Sequence, residues 1–354
     1  MAHDIFDCRL ENLPASIWEM VSQIDELKGR WVGGARLSPQ VLGRLKQSVL
    51  ITSTGASTRI EGARLSDDDI EKLMRGISIQ KFTDRDKQEV MGYFELLTNV
   101  FESWERLRFS ESLIKHFHRE LLKYVEKDTH HRGEYKHQEN KVFMIDAAGQ
   151  SVGVLFDTTP AYLTPIEMQE LVEWAQAALK NRTHHPLLIV AGFLVQFLQI
   201  HPFQDGNGRL SRILTNLLML QAGYAYMPYV SHEKIVEDNK PDYYLALRQS
   251  QKTFHSEQDT ILPWLTFFLA MVRNQARLAL DLLSWENIEK LLSPRQADVL
   301  RYLEAVQEAT PKELANRLGI PRPTINQVLN RLMALGKVER IGLGRATRYQ
   351  VKKL

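Results

Sequence analysis

The sequence predicts a mainly α-helical protein, with a large helical body and a small separate domain at its C-terminal end. The body is indicated by the apolar run Leu187 to Ile200 and by apolar residues that recur at helical spacing from Leu210 to Leu218. The small domain is indicated by three helical segments and a hairpin pattern after residue 293. The chain has 354 residues, 44% of them hydrophobic, which allows two or three domains with ordinary cores.

Caps and apolar periodicity predict the elements of the body in order. Ser38-Pro39 reads as an N-cap followed by an N1 proline, and it opens a helix. Helical spacing continues from Lys87 to Phe117, and Lys141–Ile145 with the turn Ala148-Gly149-Gln150 predicts a strand and a turn. A further helix is predicted from the helical pattern Trp264 to Leu283.

Twelve residues, 201–212, separate the two most apolar helical patterns. Pro202 disfavours the helical conformation at His201, so the first helix should end there. Gly223 is a typical C′ residue for the second helix. The stretch is therefore a loop that caps a helix N-terminus, where the amides of Gly206, Asn207 and Gly208 can bind an anion such as a polyphosphate.

The side chains of this loop suit phosphate chemistry. Arg209 and Arg212 are three residues apart on one helix, and guanidinium groups bind phosphate in a bidentate manner. Asp205 is a lone carboxylate of the kind that holds Mg²⁺ beside phosphates. His201 can accept a proton near neutral pH. A polar turn would also use Asp-Gly-Asn-Gly, but the basic and acidic groups around it favour a functional site.

The stretch His201-Pro202-Phe203-Gln204-Asp205-Gly206-Asn207-Gly208-Arg209-Leu210-Ser211-Arg212 matches the pattern HPFx[DE]GNGRxxR and so resembles the Fic family. The resemblance implies a helical Fic fold that binds ATP with Mg²⁺ and transfers AMP to a hydroxyl of a target protein or of the chain itself. His201 would be the base, Asp205 would hold Mg²⁺, and Phe203 would anchor the core. The remaining roles concern ATP, which would be bound by Gly206, Asn207, Gly208, Arg209 and Arg212.

Ser57-Thr58-Arg59-Ile60-Glu61-Gly62 is similar to the [ST]xxxE[GN] inhibitory motif of the same family. By itself the stretch would be an ordinary helix end with a glycine cap. The resemblance implies that Glu61, together with Ser57, restrains the enzyme, because Glu61 pairs with Arg212 and takes the guanidinium that should hold the γ-phosphate.

Two further sites follow from the resemblance alone. The strand residues Lys141, Val142, Phe143 and Met144 would form a hairpin flap that docks the target segment. Tyr244 and Gln251 would lie at the adenine pocket, although a tyrosine pair in a helix is as often core packing.

The C-terminal segment predicts a winged helix-turn-helix. Its helices are predicted over Pro294 to Val306, Pro311 to Leu318 and Pro323 to Leu335, and its hairpin joins Val338–Ile341 to Arg348–Val351. Residues 293–354 hold 12 basic and 5 acidic residues, net +7, which leaves 33 and 38 elsewhere, net −5. Contact with DNA through Thr324, Gln327, Asn330, Arg331 and Arg345 is one expectation, and protein contact is the alternative.

The expected domains are an N-terminal helical region 1–110, a catalytic core 111–285 and the winged helix 291–354. One cysteine, Cys8, excludes an intramolecular disulfide. No leader pattern and no apolar run of membrane length are present, so we expect a cytoplasmic protein without a membrane partner. A homodimer is an open option.

Two other functions remain open beside AMP transfer. One is a DNA-binding regulator whose helical body only senses nucleotide, although such a sensor needs no base at position 201. The other keeps the fold and changes the reaction to AMP removal, with Glu61 positioning water. Phosphorylation, as in Doc-type relatives, is disfavoured by Gly208-Arg209.

Overall fold

The computed structural model describes residues 2–34, 39–76, 85–145, 151–254, 256, 258–289, 294–334, 338–342 and 347–351. The chain forms two compact units, residues 1–280 and residues 281–354. Each unit is described by itself below.

The N-terminal third of the first unit is helical. Its helices are α1 (Ala2–Cys8), α2 (Ala15–Gly34), α3 (Pro39–Ile60), α4 (Asp67–Gly76), α5 (Arg85–Ser103) and α6 (Glu111–Leu121). The single helical pattern predicted from Lys87 to Phe117 is thus two helices, because Ser110 caps a new helix by accepting a hydrogen bond from the amide of Leu113. Gly92 lets α5 approach α6, since a Cβ at this position would collide with the carbonyl of Leu121.

A two-stranded antiparallel hairpin follows, formed by β1 (Lys141–Ile145) and β2 (Ser151–Asp157). Lys141 pairs with Asp157, and the register is irregular at two points along β1. The predicted strand is confirmed, while its turn, Ala148 to Gln150, lies outside the described residues.

The rest of this unit is again helical, with α7 (Thr164–Asn181), α8 (Pro186–Ile200), α9 (Asn207–Gln221), α10 (His232–Asp238), α11 (Lys240–Gln251) and α12 (Leu262–Glu289). α8 is buried nearly all round, as its continuous apolar sequence predicts. It ends at Ile200, and Gly223 has φ +87° just beyond α9, so both predicted helix ends are confirmed. The predicted Ser38 cap of α3 lies outside the described residues.

The second unit has the order predicted for a winged helix. Its elements are α13 (Pro294–Val306), β3 (Glu308–Ala309), α14 (Pro311–Leu318), α15 (Arg322–Ala334), β4 (Val338–Ile341) and β5 (Arg348–Val351). α14 begins with the predicted capping box between Thr310 and Glu313 and ends at Gly319 with φ +65°. The buried core of this second unit includes Val299, Leu314, Ile325 and Leu329.

Strand β3 was not predicted. It pairs antiparallel with β5, so that the sheet has the order β3-β5-β4. Two residues are too few to show a period of two, so only the pairing with β5 defines this strand.

No helix in the described part of the chain is both long enough and apolar enough to cross a lipid bilayer.

Candidate active site

The backbone of the loop between α8 and α9 turns through two left-handed residues. His201 is the C-cap of α8 with φ +51° and ψ +59°, and its amide donates to the carbonyl of Phe197 at 3.0 Å. Pro202 was predicted to remove His201 from the helical region, and it is removed, into the left-handed region. Gly206 has φ +80° and precedes α9, which starts at Asn207. The loop therefore ends at a helix N-terminus, as predicted.

The side chain of Asn207 closes this loop on itself. Its Oδ1 accepts from the amide of Phe203 at 3.0 Å, and its Nδ2 donates to the carbonyl of Phe203 at 2.7 Å. Asn207 is 1% exposed, and Phe203 is fully buried. The Asn207 side chain thus braces the loop, which leaves anion binding to the backbone amides of the helix start.

His118 contacts two residues of the loop, Phe203 and Asp205. Its ring stacks on Phe203 with centroids 3.9 Å apart, and its Nε2 lies 3.0 Å from the carbonyl oxygen of Asp205. The amide of Gly133 donates to Nδ1, which makes Nε2 the protonated nitrogen. Burial lowers the pKa of His118 to about 4, so that the ring is neutral at pH 7.

A second brace comes from residues 136–140. The amide of Lys136 donates to the carbonyl of Pro202 at 2.8 Å, and its Nζ donates to the carbonyl of Ile200 at 3.0 Å. Asn140 Nδ2 donates to the carbonyl of Phe203 at 2.9 Å. These bonds tie the segment before the flap to the loop that holds His201.

The imidazole of His201 is neutral in the folded protein. Its Nδ1 lies 3.3 Å from the carbonyl of Leu198, and donation to that oxygen would place the lone pair of the neutral ring on Nε2. Burial lowers the pKa of His201 to about 4. The ring is therefore uncharged at neutral pH, as a general base must be before it acts.

Arg212 is the sixth residue of α9, and its guanidinium binds Ser57 near the end of α3 and Glu61 just beyond it. Its Nε donates to Ser57 Oγ at 2.7 Å, and its Nη2 donates to Glu61 Oε1 at 2.7 Å and to the carbonyl of Ser57 at 2.9 Å. Burial by itself would lower the pKa of Arg212, but the charge of Glu61, its hydrogen bond and the nearby Tyr243 and Tyr93 together outweigh burial, and the pKa is raised. The guanidinium is 3% exposed and fully charged.

Glu61 also lies directly against Gly208. A Cβ at position 208 would collide with the Glu61 carboxylate and force that side chain to shift. The carboxylate therefore occupies the space beside the first amides of α9, where the sequence predicts a phosphate.

Two basic side chains fix the C-terminal end of α3, which Glu61 directly follows. Arg59 pairs with Glu237 at 2.6 Å and with Asp67 at 2.8 Å, and Lys240 Nζ donates to the carbonyl of Ile60 at 2.7 Å. Glu61 is thus positioned by charges on α4, α10 and α11 as well as by Arg212.

Asp205 and Arg209 belong to a cluster of charged side chains that also includes Arg85, Glu89 and Asp128. Asp205 Oδ1 accepts from the amide of Gly206, and its Oδ2 accepts from Arg209 at 3.1 Å and from Arg85 at 2.7 Å. Arg209 is 2% exposed and also pairs with Glu89 at 2.6 Å. Although Arg209 and Arg212 are three residues apart on α9, they therefore bind different carboxylates.

The other predicted site residues lie on β1 and α11. β1, which carries Lys141, Val142, Phe143 and Met144, follows directly after the brace residue Asn140. Tyr244 and Gln251 both lie on α11. Gln251 is 5% exposed and donates from Nε2 to the carbonyl of Val195 at 3.4 Å, so its side chain lies within the core.

Four residues that contact the loop or its charged side chains were not predicted from the sequence: His118, Lys136, Asn140 and Arg85. His118 was not predicted, because a lone histidine in an amphipathic helix carries no signal of its own. A hydrogen bond to a backbone carbonyl more than 60 residues away has no sequence pattern, so Lys136 and Asn140 could not have been found.

No group of three or more His, Cys, Asp or Glu side chains that could hold a metal ion occurs among the residues that the structure describes. A cation at this site would therefore depend on Asp205 and on oxygens from a ligand or water.

Comparison with known proteins identifies both units. The Fic/DOC family model matches residues 108–219, and the MarR family model matches residues 292–348. A Fido domain-containing protein of Dictyostelium discoideum is 36% identical over 75 residues, which are 21% of this chain and 48% of the relative. A probable protein adenylyltransferase of Aquifex aeolicus (strain VF5) is 27% identical over 205 residues, 56% of this chain and 54% of the relative. The matches thus span about half the length of these two relatives.

Solved structures have the same fold. A Fic family protein from Desulfovibrio desulfuricans G20 superposes with a TM-score of 0.63 at 25% identity, over 96% of this chain and 97% of that one. Fic-1 from C. elegans has a TM-score of 0.60 at 19% identity, over 77% of this chain and 74% of that one, which shows the fold alone. These matches and the loop geometry identify a Fic domain over residues 108–219 and a MarR-family winged-helix domain over residues 292–348 of the chain.

Proposed function

We propose that this protein is an adenylyltransferase that transfers AMP from ATP to a tyrosine, threonine or serine hydroxyl of a target protein, and that Glu61 restrains it. The observation that carries the proposal is the position of the Glu61 carboxylate, which binds Arg212 and lies against Gly208. A built-in anion at a helix N-terminus and a buried guanidinium marks a place suited to a phosphate.

The reaction would need one proton acceptor and several fixed positive groups. The target hydroxyl oxygen forms a bond to the α-phosphorus, the bond from that phosphorus to the bridging oxygen breaks, and pyrophosphate leaves. The hydroxyl proton passes to Nε2 of His201. Because such a transfer depends mostly on positioning and charge neutralisation, the braces on this loop support the proposal.

Asp205 is the residue that would hold Mg²⁺ in this reaction. Its side chain is 39% exposed, and its Oδ2 accepts hydrogen bonds from two guanidinium groups, so its surroundings already stabilise positive charge beside it. A carboxylate that is reachable from solvent beside a phosphate-binding helix start fits a cation that completes its coordination with phosphate and water. The ion would neutralise charge on the phosphates of ATP.

Residues Lys141 to Met144 would present the target. β1 belongs to a two-stranded sheet in the described part of the chain, and its first residue follows Asn140, which is bonded to the loop. A target segment that adds to a strand edge is held by main-chain bonds, whatever its side chains are. Tyr244 remains our candidate for contact with adenine, while the inward position of Gln251 requires that side chain to turn before it can contribute.

The proposal is tested with α-labelled ATP, Mg²⁺ and a cell extract as the source of targets. We compare the wild type, Glu61→Gly, His201→Ala and the Glu61→Gly/His201→Ala double variant. Strong labelling by Glu61→Gly alone, with release of pyrophosphate, is the expected result. Labelling by the double variant would remove His201 from its role, and the absence of labelling by all four proteins would refute AMP transfer.

A second function, DNA binding, is proposed for the C-terminal unit. It is supported by the match to the MarR family model and by the net charge of +7 on residues 293–354. On α15, Gln327 and Asn330 are exposed and Thr324 is partly exposed, while Arg345 and the side chain of Arg331 are not described. Protein contact through the same unit is the alternative.

The DNA proposal is tested by fluorescence anisotropy of the full chain with random duplex DNA at several salt concentrations. Binding should weaken steeply with salt, because phosphate contacts release counterions. Arg322→Glu on α15 should weaken binding more than Arg301→Glu on α13, which changes the net charge equally. Equal effects of the two variants, or no binding at low salt, would favour protein contact.

A further inference from the structure

The carboxylate of Asp205, which we assign to Mg²⁺, is fully engaged by the protein itself. Its Oδ1 accepts from the amide of Gly206 at 2.6 Å. Its Oδ2 accepts from Nη2 of Arg85 at 2.7 Å and from Nη2 of Arg209 at 3.1 Å. A cation that is to bind Oδ2 must therefore compete with a guanidinium that already contacts this atom.

The two guanidiniums differ in how firmly they are held. Arg209 is 2% exposed, lies inside α9, and also pairs with Glu89 at 2.6 Å. Arg85 is the first residue of α5, and its side chain is 46% exposed. Movement of Arg209 would leave the mostly buried carboxylate of Glu89 without this partner, which is costly. Arg85 is therefore the guanidinium that can move.

Arg85 is held at two points along its side chain. Its Nε donates to Glu89 Oε1 at 2.8 Å, and its terminal Nη2 contacts both Asp128 Oδ2 at 3.1 Å and Asp205 Oδ2 at 2.7 Å. The bond at Nε can therefore stay intact while the outer end of the guanidinium leaves Asp205. One nitrogen atom that contacts two carboxylates also marks a position where positive charge is favoured.

The charges of the cluster favour replacement of Arg85 by a divalent ion. Arg85 and Arg209 face the three carboxylates of Glu89, Asp128 and Asp205 in this cluster, so these five side chains carry a net charge of −1. When Mg²⁺ binds at Asp205 and Arg85 stays bonded to Glu89 through Nε, the ion and these five side chains sum to +1. The net negative charge of the cluster thus favours entry of a cation, and the excess positive charge lies on Arg85, whose side chain is 46% exposed to solvent.

We propose that Arg85 is a cation latch, a guanidinium that occupies the metal position at Asp205 and is displaced when a divalent ion enters. This inference rests on the proposed function only in that it takes Asp205 as the metal residue. The latch makes occupation of the site by a divalent ion a competition with an internal side chain, and it uses different residues from the contact of Glu61 with Arg212.

The test measures Mn²⁺ binding to the full chain by electron paramagnetic resonance, without nucleotide. The wild type, Arg85→Ala, Arg85→Lys, Asp205→Asn and the Arg85→Ala/Asp205→Asn double variant are compared. The matched control is Arg119→Ala, which removes one charge from an exposed position on α6. Thermal unfolding of each variant shows whether it is folded.

We expect Arg85→Ala to bind Mn²⁺ about two- to fivefold more tightly than the wild type, which is the range for loss of one partly exposed ion pair. Arg85→Lys should lie between the two, Arg119→Ala should match the wild type, and Asp205→Asn should abolish the gain in the double variant. Equal binding by Arg85→Ala and the wild type, or no binding by either, would overturn the proposal. A gain that persists without Asp205 would overturn it too.

Failure of the latch can be distinguished from failure of AMP transfer. Mn²⁺ binding does not depend on turnover, so a protein that transfers no AMP can still show the latch. Equally, strong labelling by Glu61→Gly with identical Mn²⁺ affinities in the wild type and Arg85→Ala would retain the enzyme and reject the latch.

Discussion

Glu61 and Arg212, 151 residues apart in the chain, form a direct ion pair in which Nη2 of Arg212 donates to Oε1 of Glu61 at 2.7 Å. The arginine side chain is 4% exposed and the glutamate 33% exposed, so the pair lies at the boundary between core and solvent. The same carboxylate lies against Gly208 at the start of α9. A single side chain therefore covers two of the groups that the sequence assigns to phosphate binding, the Arg212 guanidinium and the start of α9 at Gly208.

Substitution of Glu61 should activate the protein. In Glu61→Gly the guanidinium of Arg212 keeps its bonds to Ser57 but loses the competing anion, so labelled AMP transfer should rise at least about tenfold, the equivalent of 1.4 kcal/mol. Initial rates with α-labelled ATP measure this change. Glu61→Gln, which keeps the shape and loses the charge, should show a smaller rise, and unchanged rates in both variants would contradict restraint by Glu61.

Ser57 should matter for the position of Arg212 rather than for restraint. Ser57→Ala removes the buried acceptor of Nε, so unfolding should require about 1–2 kcal/mol less free energy, as measured by urea denaturation. In the Glu61→Gly background the same change should lower AMP transfer, because Arg212 is no longer oriented. Thr58→Val is the control, since Thr58 Oγ1 bonds only to carbonyls of its own helix. Equal rates in the two variants would exclude a positioning role for Ser57.

Asn207 should be a structural requirement of the loop. Asn207→Ala leaves the buried amide of Phe203 without its acceptor, while the Phe203 carbonyl keeps the bond from Asn140, so the expected cost is about 1–3 kcal/mol in the free energy of unfolding. Asn207→Asp is nearly the same shape but turns an acceptor toward the Phe203 carbonyl, so it should be at least as destabilising. Denaturation curves measure both variants, and a stable Asn207→Asp protein would show that the donor bond is unimportant.

The protonation of His201 should make stability depend on pH in a defined direction. Its pKa is about 4 in the folded protein and 6.5 in the unfolded chain, so below pH 6.5 the unfolded state binds more protons. Stability from the neutral ring is complete above pH 6.5 and is lost as the pH falls toward 4, by on the order of 2 kcal/mol at pH 5.

Urea denaturation of the wild type and of His201→Asn at pH 7.5 and pH 5 measures this difference. The wild type should lose more free energy of unfolding between the two pH values than the variant, which cannot titrate at this position. Parallel losses in the two proteins would show that His201 has an ordinary pKa in the folded state.

Local patterns in the sequence were reliable where a structure depends on neighbouring residues. The end of α8 before Pro202, the glycine after α9, the capping box of α14 and the strand at Lys141 are all set by residues within a few positions of one another. The chemistry of the 201–212 loop could be anticipated for the same reason. In contrast, the two-residue strand β3 exists only because β5 pairs with it.

The sequence by itself determined where α8 ends, that a loop leads from it into the N-terminus of another helix, and that a winged helix follows, because those properties depend on short-range sterics and periodicity. The tertiary structure alone decided which charges meet. Arg209 is paired with Asp205 and Glu89 while Arg212 is paired with Glu61, and Arg85 contacts Asp205 from 120 residues away. Ion pairs and hydrogen bonds act over a few ångströms in space, and only the packing of the helices brings those partners within that distance.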